Sequence, residues 1–118
     1  MSVTAILDDI FRDSLKRANI KAQGSMDKSC LYRSFIVEIP NANNFRFGYI
    51  YTENGVRECE PDTTNPTLKI LLSFEVFSAI LNKKIGIQEA IYHGLVTLVG
   101  ENPLLHMNSI LLLFGNLI

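Results

Sequence analysis

The sequence has no tryptophan, and its longest unbroken apolar run is Ile110 to Phe114. A membrane-spanning helix needs about 20 such residues, so no transmembrane segment is expected. Cysteine is scarce as well. Cys30 and Cys59 are the only two, fewer than a disulfide-stapled secreted domain normally carries. They read as free thiols in a reducing compartment. The amino terminus lacks a cationic stretch followed by an apolar one, so no signal peptide is expected. Together these features predict a cytoplasmic protein. An excess of one charge is lacking too. A formal net charge of -1 gives no basic field, and no nucleic-acid partner is expected.

Catalytic signatures are equally sparse. The chain has neither a glycine-rich phosphate loop nor a Gly-x-Ser-x-Gly nucleophile elbow. Its only histidines are His93 and His106, and with two cysteines at wide spacings they form no zinc signature. His93 precedes Gly94 and reads as a helix-end residue, where the dipole favours a cation. His106 falls on the polar side of a terminal helix. Cys59 lies between Glu58 and Glu60, a setting that disfavours a reactive thiolate. No enzyme and no cofactor are expected.

What the chain does have is material for a core. It is 118 residues long, 47% hydrophobic and 19% charged, a balance that fits one globular domain over residues 1–118. Val3, Ile6, Leu7, Ile10, Phe11 and Leu15 keep helical spacing, predicting a helix over residues 4–18 with Asp8–Arg12 and Asp13–Arg17 as i,i+4 pairs. A polar loop over residues 23–28 follows. Alternation then predicts strands over 31–39, with Phe35, Val37 and Ile39 on one face, and over 45–53, with Phe45, Phe47, Tyr49 and Tyr51 on one face. Asn54-Gly55 signals a type I′ hairpin returning over 56–60. After a loop to Pro66, a strand is expected over 67–73 and a helix over 74–82 capped by Ser73. A second short helix over 87–93 ends at Gly94, and a last strand covers 95–99. Asn102-Pro103 supplies a cap and a first-turn proline for a terminal helix. This order predicts a two-layer α+β domain, a mixed five-stranded sheet covered on one face by helices. If the fourth and fifth strands are parallel neighbours, their connection is a right-handed crossover.

The terminal segment carries more hydrocarbon than one docking stripe requires. At about 100° per residue, Leu104, Met107, Ile110, Leu111 and Phe114 share one arc, while Leu105 and Leu112 form a second patch. The second patch requires a partner: more core, another subunit or an apolar ligand.

The run TLKILLSFEVFSAILNKKIGIQEAIYHGLVTLVGENPLLHM, from Thr67 onward, resembles the sterol carrier protein type-two domain family. It has that family's strand, Phe-centred helix with a lysine-rich end, short helix carrying Gln88-Glu89-Ala90, strand closing at Gly100 and amphipathic last helix. The resemblance implies a mixed sheet and helices enclosing an apolar tunnel, and ligands such as sterols, fatty acids, acyl-CoA esters and phospholipids bound without covalent chemistry. It implies Phe77, Ile80, Leu81, Ile87 and Ile91 as cavity walls, with Leu104, Met107, Ile110, Leu111 and Phe114 contributed by the last helix. Tyr92, His106 and Asn108 are polar candidates for its mouth. The last helix is more hydrophobic than the family's usual lysine-bearing version, and no peroxisomal tripeptide closes the chain.

Two readings follow. One is a carrier of a lipid or similar apolar molecule. The other is an interaction module or homodimer in which Leu105, Leu112, Leu113 and Leu117 of the C-terminal helix bury against a partner without any ligand.

Overall fold

The computed structural model describes residues 2–22, 31–62 and 65–117. The elements are α1 (Val3–Ala22), β1 (Ser34–Ile39), β2 (Phe45–Thr52), β3 (Gly55–Cys59), β4 (Leu68–Leu72), α2 (Phe74–Leu81), α3 (Ile87–Tyr92), β5 (Val96–Gly100), a 3₁₀ turn (Pro103–His106) and α4 (Met107–Phe114). The expected polar loop over 23–28 and the thiol of Cys30 lie outside the described residues.

The five strands form one mixed sheet in the order β3-β2-β1-β4-β5, as the α+β reading predicts. The register explains the core. Val37 pairs with Phe47 and Ile70, and Phe35 pairs with Tyr49 and Leu68. Side chains alternate across a strand, so these residues share one face. Phe45, Tyr51, Val56 and Leu72 are buried with them in one core cluster. The helices cover this face through aromatic rings. Phe11 of α1 lies 5.7 Å from Phe45, 5.3 Å from Phe47, 5.3 Å from Phe77 of α2 and 6.0 Å from Phe114 of α4, centroid to centroid. The other face carries charge. Arg46 bridges Glu38 and Asp62, and Lys69 lies 3.7 Å from Glu38.

Several sequence expectations change on folding. The parallel pair is β1 with β4, whereas β4 and β5 run antiparallel, so the expected β4-to-β5 crossover does not form. One helix would bring the chain back to the start of a parallel strand; the α2–α3 pair adds a second reversal. β1 begins at Ser34, not Leu31, because Tyr32 takes a left-handed φ of 62° and breaks the extended run. In α1 the buried stripe is Leu7, Phe11, Ser14, Leu15 and Ala18, while Val3 and Ile6 are exposed. Arg12 turns from Asp8 to Glu58 of β3 at 2.8 Å. Arg17 donates to the carbonyl oxygens of Asn116 and Leu117 at 3.0 and 3.1 Å, satisfying acceptors at the end of α4 in place of an ion pair with Asp13.

The β2–β3 hairpin forms, with Thr52 opposite Gly55, but not as a type I′ turn on Asn54-Gly55. The positive φ falls on Gly55 alone in this turn, at 116°. A Cβ there would meet Asn19 Oδ1 at 2.5 Å. That oxygen accepts the Val56 N–H at 2.8 Å, and Asn19 Nδ2 donates to the Val56 carbonyl at 2.8 Å. Gly55→Ala is therefore expected to lose about 1–3 kcal/mol of stability through backbone strain and the displaced amide, read as a lower urea midpoint.

The terminal segment is broken rather than one helix. Asn102 adopts φ 49° and its side chain caps nothing. Leu104 and Leu105 on the 3₁₀ turn are both 74% exposed, whereas Leu113 and Leu117 are buried in the chain's own core. Those two leucines are therefore unavailable to a partner, and Leu112 is half-buried against the same core.

Candidate functional site

Local chemistry fixes the α2–α3 corner. Ser73 Oγ accepts the Val76 N–H at 3.1 Å, the expected cap. Asn41 Oδ1 accepts the Phe74 N–H at 2.8 Å while Asn41 Nδ2 donates to Glu75 at 2.9 Å. This last contact holds the Glu75 carboxyl below its usual range. α2 ends where Lys83 turns left-handed at φ 59°. The Lys84 N–H closes the turn on the Ala79 carbonyl at 2.9 Å, and Gly86 starts α3.

This corner and the end of α4 enclose a cleft of about 530 Å³, within the range of small-molecule sites. Its apolar surface comes from Ile80, Ile85, Ile87, Leu111 and Phe114, and its polar rim from Lys83, Gln88 and Glu89. A smaller groove of about 370 Å³ lies between Pro40, Asn41, Leu71, Leu72, Ser73, Leu95 and Thr97.

The residues expected to form a cavity divide into groups. Ile80, Ile87, Leu111 and Phe114 meet at the cleft. Phe77 and Ile110 are fully buried in the core. Leu81, Ile91 and Met107 are half-buried against that core. Leu104 stands apart, exposed on the 3₁₀ turn. None of the polar mouth candidates reaches the cleft. Tyr92 and Asn108 are exposed, and Lys83, Gln88 and Glu89 occupy the rim instead. Sequence reasoning missed Ile85 and this rim because they belong to a corner whose direction depends on one left-handed residue. The only available signal was the Asn82-Lys83-Lys84 break between two apolar patterns.

His106 also differs from its expected place on the polar side. It is 8% exposed, and its ring meets Phe35 edge-on at 5.7 Å. Burial, reinforced by the Arg33 charge, lowers its pKa from 6.5. The unfolded chain therefore takes up the proton first as pH falls. The stabilisation is complete above about pH 6.5 and is lost as pH drops toward the lower folded value. The melting temperature should fall between pH 7 and pH 5, and His106→Asn should flatten that dependence. An unchanged slope in the variant assigns the effect to other groups. Among the described residues, no group of three His, Cys, Asp or Glu side chains could hold a metal ion, and no helix is long and apolar enough to cross a membrane.

No protein-family model matches the sequence, and no curated sequence matches it. Solved structures do. A conserved hypothetical protein of Thermus thermophilus superposes with a TM-score of 0.62 at 11% identity, over 92% of this chain and 82% of its own. The apo form of sterol carrier protein 2 from Yarrowia lipolytica gives 0.55 at 16% identity, over 96% and 90%. A palmitated sterol carrier protein 2-like 2 from Aedes aegypti gives 0.54 at 19% identity, over 95% and 95%. A double mutant of the sec-alkyl sulfatase PisA1 matches at 0.55, but this chain spans only 14% of its length.

Proposed function

We propose, from its sterol-carrier-type fold, that this chain binds and transfers an apolar small molecule of the fatty acid, acyl-CoA, sterol or phospholipid class. The binding is non-covalent and takes place in the cytoplasm, without catalysis. The observation that carries this reading is the cleft at the α2–α3 corner, where an apolar wall meets a polar rim. Ile80, Ile87, Leu111 and Phe114 would touch hydrocarbon, with Phe77 and Ile110 supporting them from the core. Lys83 and Gln88 would meet the polar end of an amphiphile. The palmitated state of the Aedes aegypti neighbour supports the same ligand class.

The energetics suffice. Burying about fifteen methylenes contributes roughly 12 kcal/mol. Association and ordering costs of about 4 kcal/mol reduce this to about 8 kcal/mol net, a micromolar dissociation constant. Denaturing extraction of the purified protein followed by mass spectrometry should release lipid. A fluorescent fatty acid should bind and be displaced by unlabelled palmitate. A clean extract together with no saturable fluorescence change would overturn the proposal.

A further inference from the structure

The two edges of the sheet are treated differently. At the β3 edge, Asn19 of α1 occupies both the N–H and the carbonyl of Val56. Arg57 and Glu58 add charge, and Arg12 of α1 holds Glu58. An edge protected in this way does not accept another strand. β5 forms the opposite edge. Among the described residues it pairs with β4 alone, and its sequence, VTLVG, contains no charge, proline or bulge. Val99 is 49% exposed on it. Beside the strand lie Leu95 at 46%, Tyr92 at 86%, and Leu104 and Leu105 at 74% each.

We propose that β5 pairs antiparallel with β5 of a second copy, making a two-fold dimer with a continuous sheet through both molecules. The strand is suited to its own copy. An antiparallel pair centred on Leu98 sets Thr97 opposite the second copy's Val99, a β-branched pair of the kind that stabilises sheets, and repeats it across the axis. Beyond the strand ends, the same axis brings Tyr92 and Leu95 of one copy toward Leu104 and Leu105 of the other. It also brings His93 toward Glu101, an imidazole toward a carboxylate. The five exposed apolar side chains offer on the order of 700 Å² per molecule, close to the roughly 800 Å² per partner of a standard interface. A dimer of this kind is isologous and closed.

Sedimentation velocity over a concentration series tests the proposal. The unmodified chain should show a monomer–dimer equilibrium. Val99→Lys and Leu105→Lys should each raise the dimer dissociation constant at least tenfold, with unchanged far-ultraviolet circular dichroism. Arg57→Glu at the opposite edge should leave it unchanged. Hydrogen exchange should slow in residues 96–100 as concentration rises. A chain that stays monomeric at all concentrations overturns the proposal, and so does a dimer that survives both lysine variants. A monomer that co-sediments with phosphatidylcholine vesicles, and loses that binding in Leu105→Lys, would assign the patch to a lipid surface instead.

Discussion

Phe11→Ala is expected to destabilise the protein by about 3–5 kcal/mol, the range for truncating a buried aromatic residue. Phe11 is inaccessible to solvent and contacts rings from β2, α2 and α4 at once. No neighbour can collapse into the space without leaving another contact. The loss removes a large share of the roughly 5–15 kcal/mol that keeps a small domain folded, and the melting temperature should drop by roughly 10–20 °C. Val3→Ala on the same helix, at an exposed site, should change stability by no more than about 0.5 kcal/mol. Urea denaturation of the pair checks both. A Phe11→Ala cost below about 1 kcal/mol would show that this ring does not join the two layers. The effect reaches the cleft as well, because Phe114 contacts Phe11 and lines the cleft.

Leu111→Trp is expected to reduce fatty-acid capacity at least tenfold while leaving the fold intact. Leu111 is half-buried and lines the cleft. An indole there fills volume a hydrocarbon chain would use, and the open side of the cleft gives it room without overpacking the core. Titration with a fluorescent fatty acid, alongside a urea midpoint within about 1 kcal/mol of the parent, separates blocked binding from unfolding. Full capacity in the variant would place the ligand elsewhere, and the groove bounded by Pro40 and Leu95 would be the next site to block.

The sheet was legible because alternation is a strictly local pattern. Phe35, Val37, Phe47 and Tyr49 declare one face whatever their partners are, and register then places them together. The caps at Ser73 and Gly94 were legible for the same reason. Pairing direction was not, since the sense of β5 depends on the number of reversals made by the helices before it.

The terminal helix misled in a specific way. The arc containing Leu104 assumes an uninterrupted α-helix, but residues 103–106 wind as a 3₁₀ turn. This advances each residue about 20° further than an α-helix and takes Leu104 and Leu105 out of phase with Met107 to Phe114. The surplus hydrocarbon was real, yet it divides three ways. Leu113 and Leu117 complete the core, Leu111 and Phe114 line the cleft, and Leu104 and Leu105 face solvent. Of the site, walls on α2, α3 and α4 were implied by the family resemblance, and of those residues Ile80, Ile87, Leu111 and Phe114 line the cleft. The rim was not legible, because Lys83 reaches it through a left-handed backbone that no sequence pattern specifies.

In the proposed dimer, the Asn19 clamp on Val56 would also limit how many molecules can join. A flat element that can be extended from either side has no natural stopping point and grows into filaments. With one side stoppered by that amide and by the charges of Arg57 and Glu58, the proposed growth through the remaining side would end at two. The stoppered side would then separate a finite assembly from an endless one.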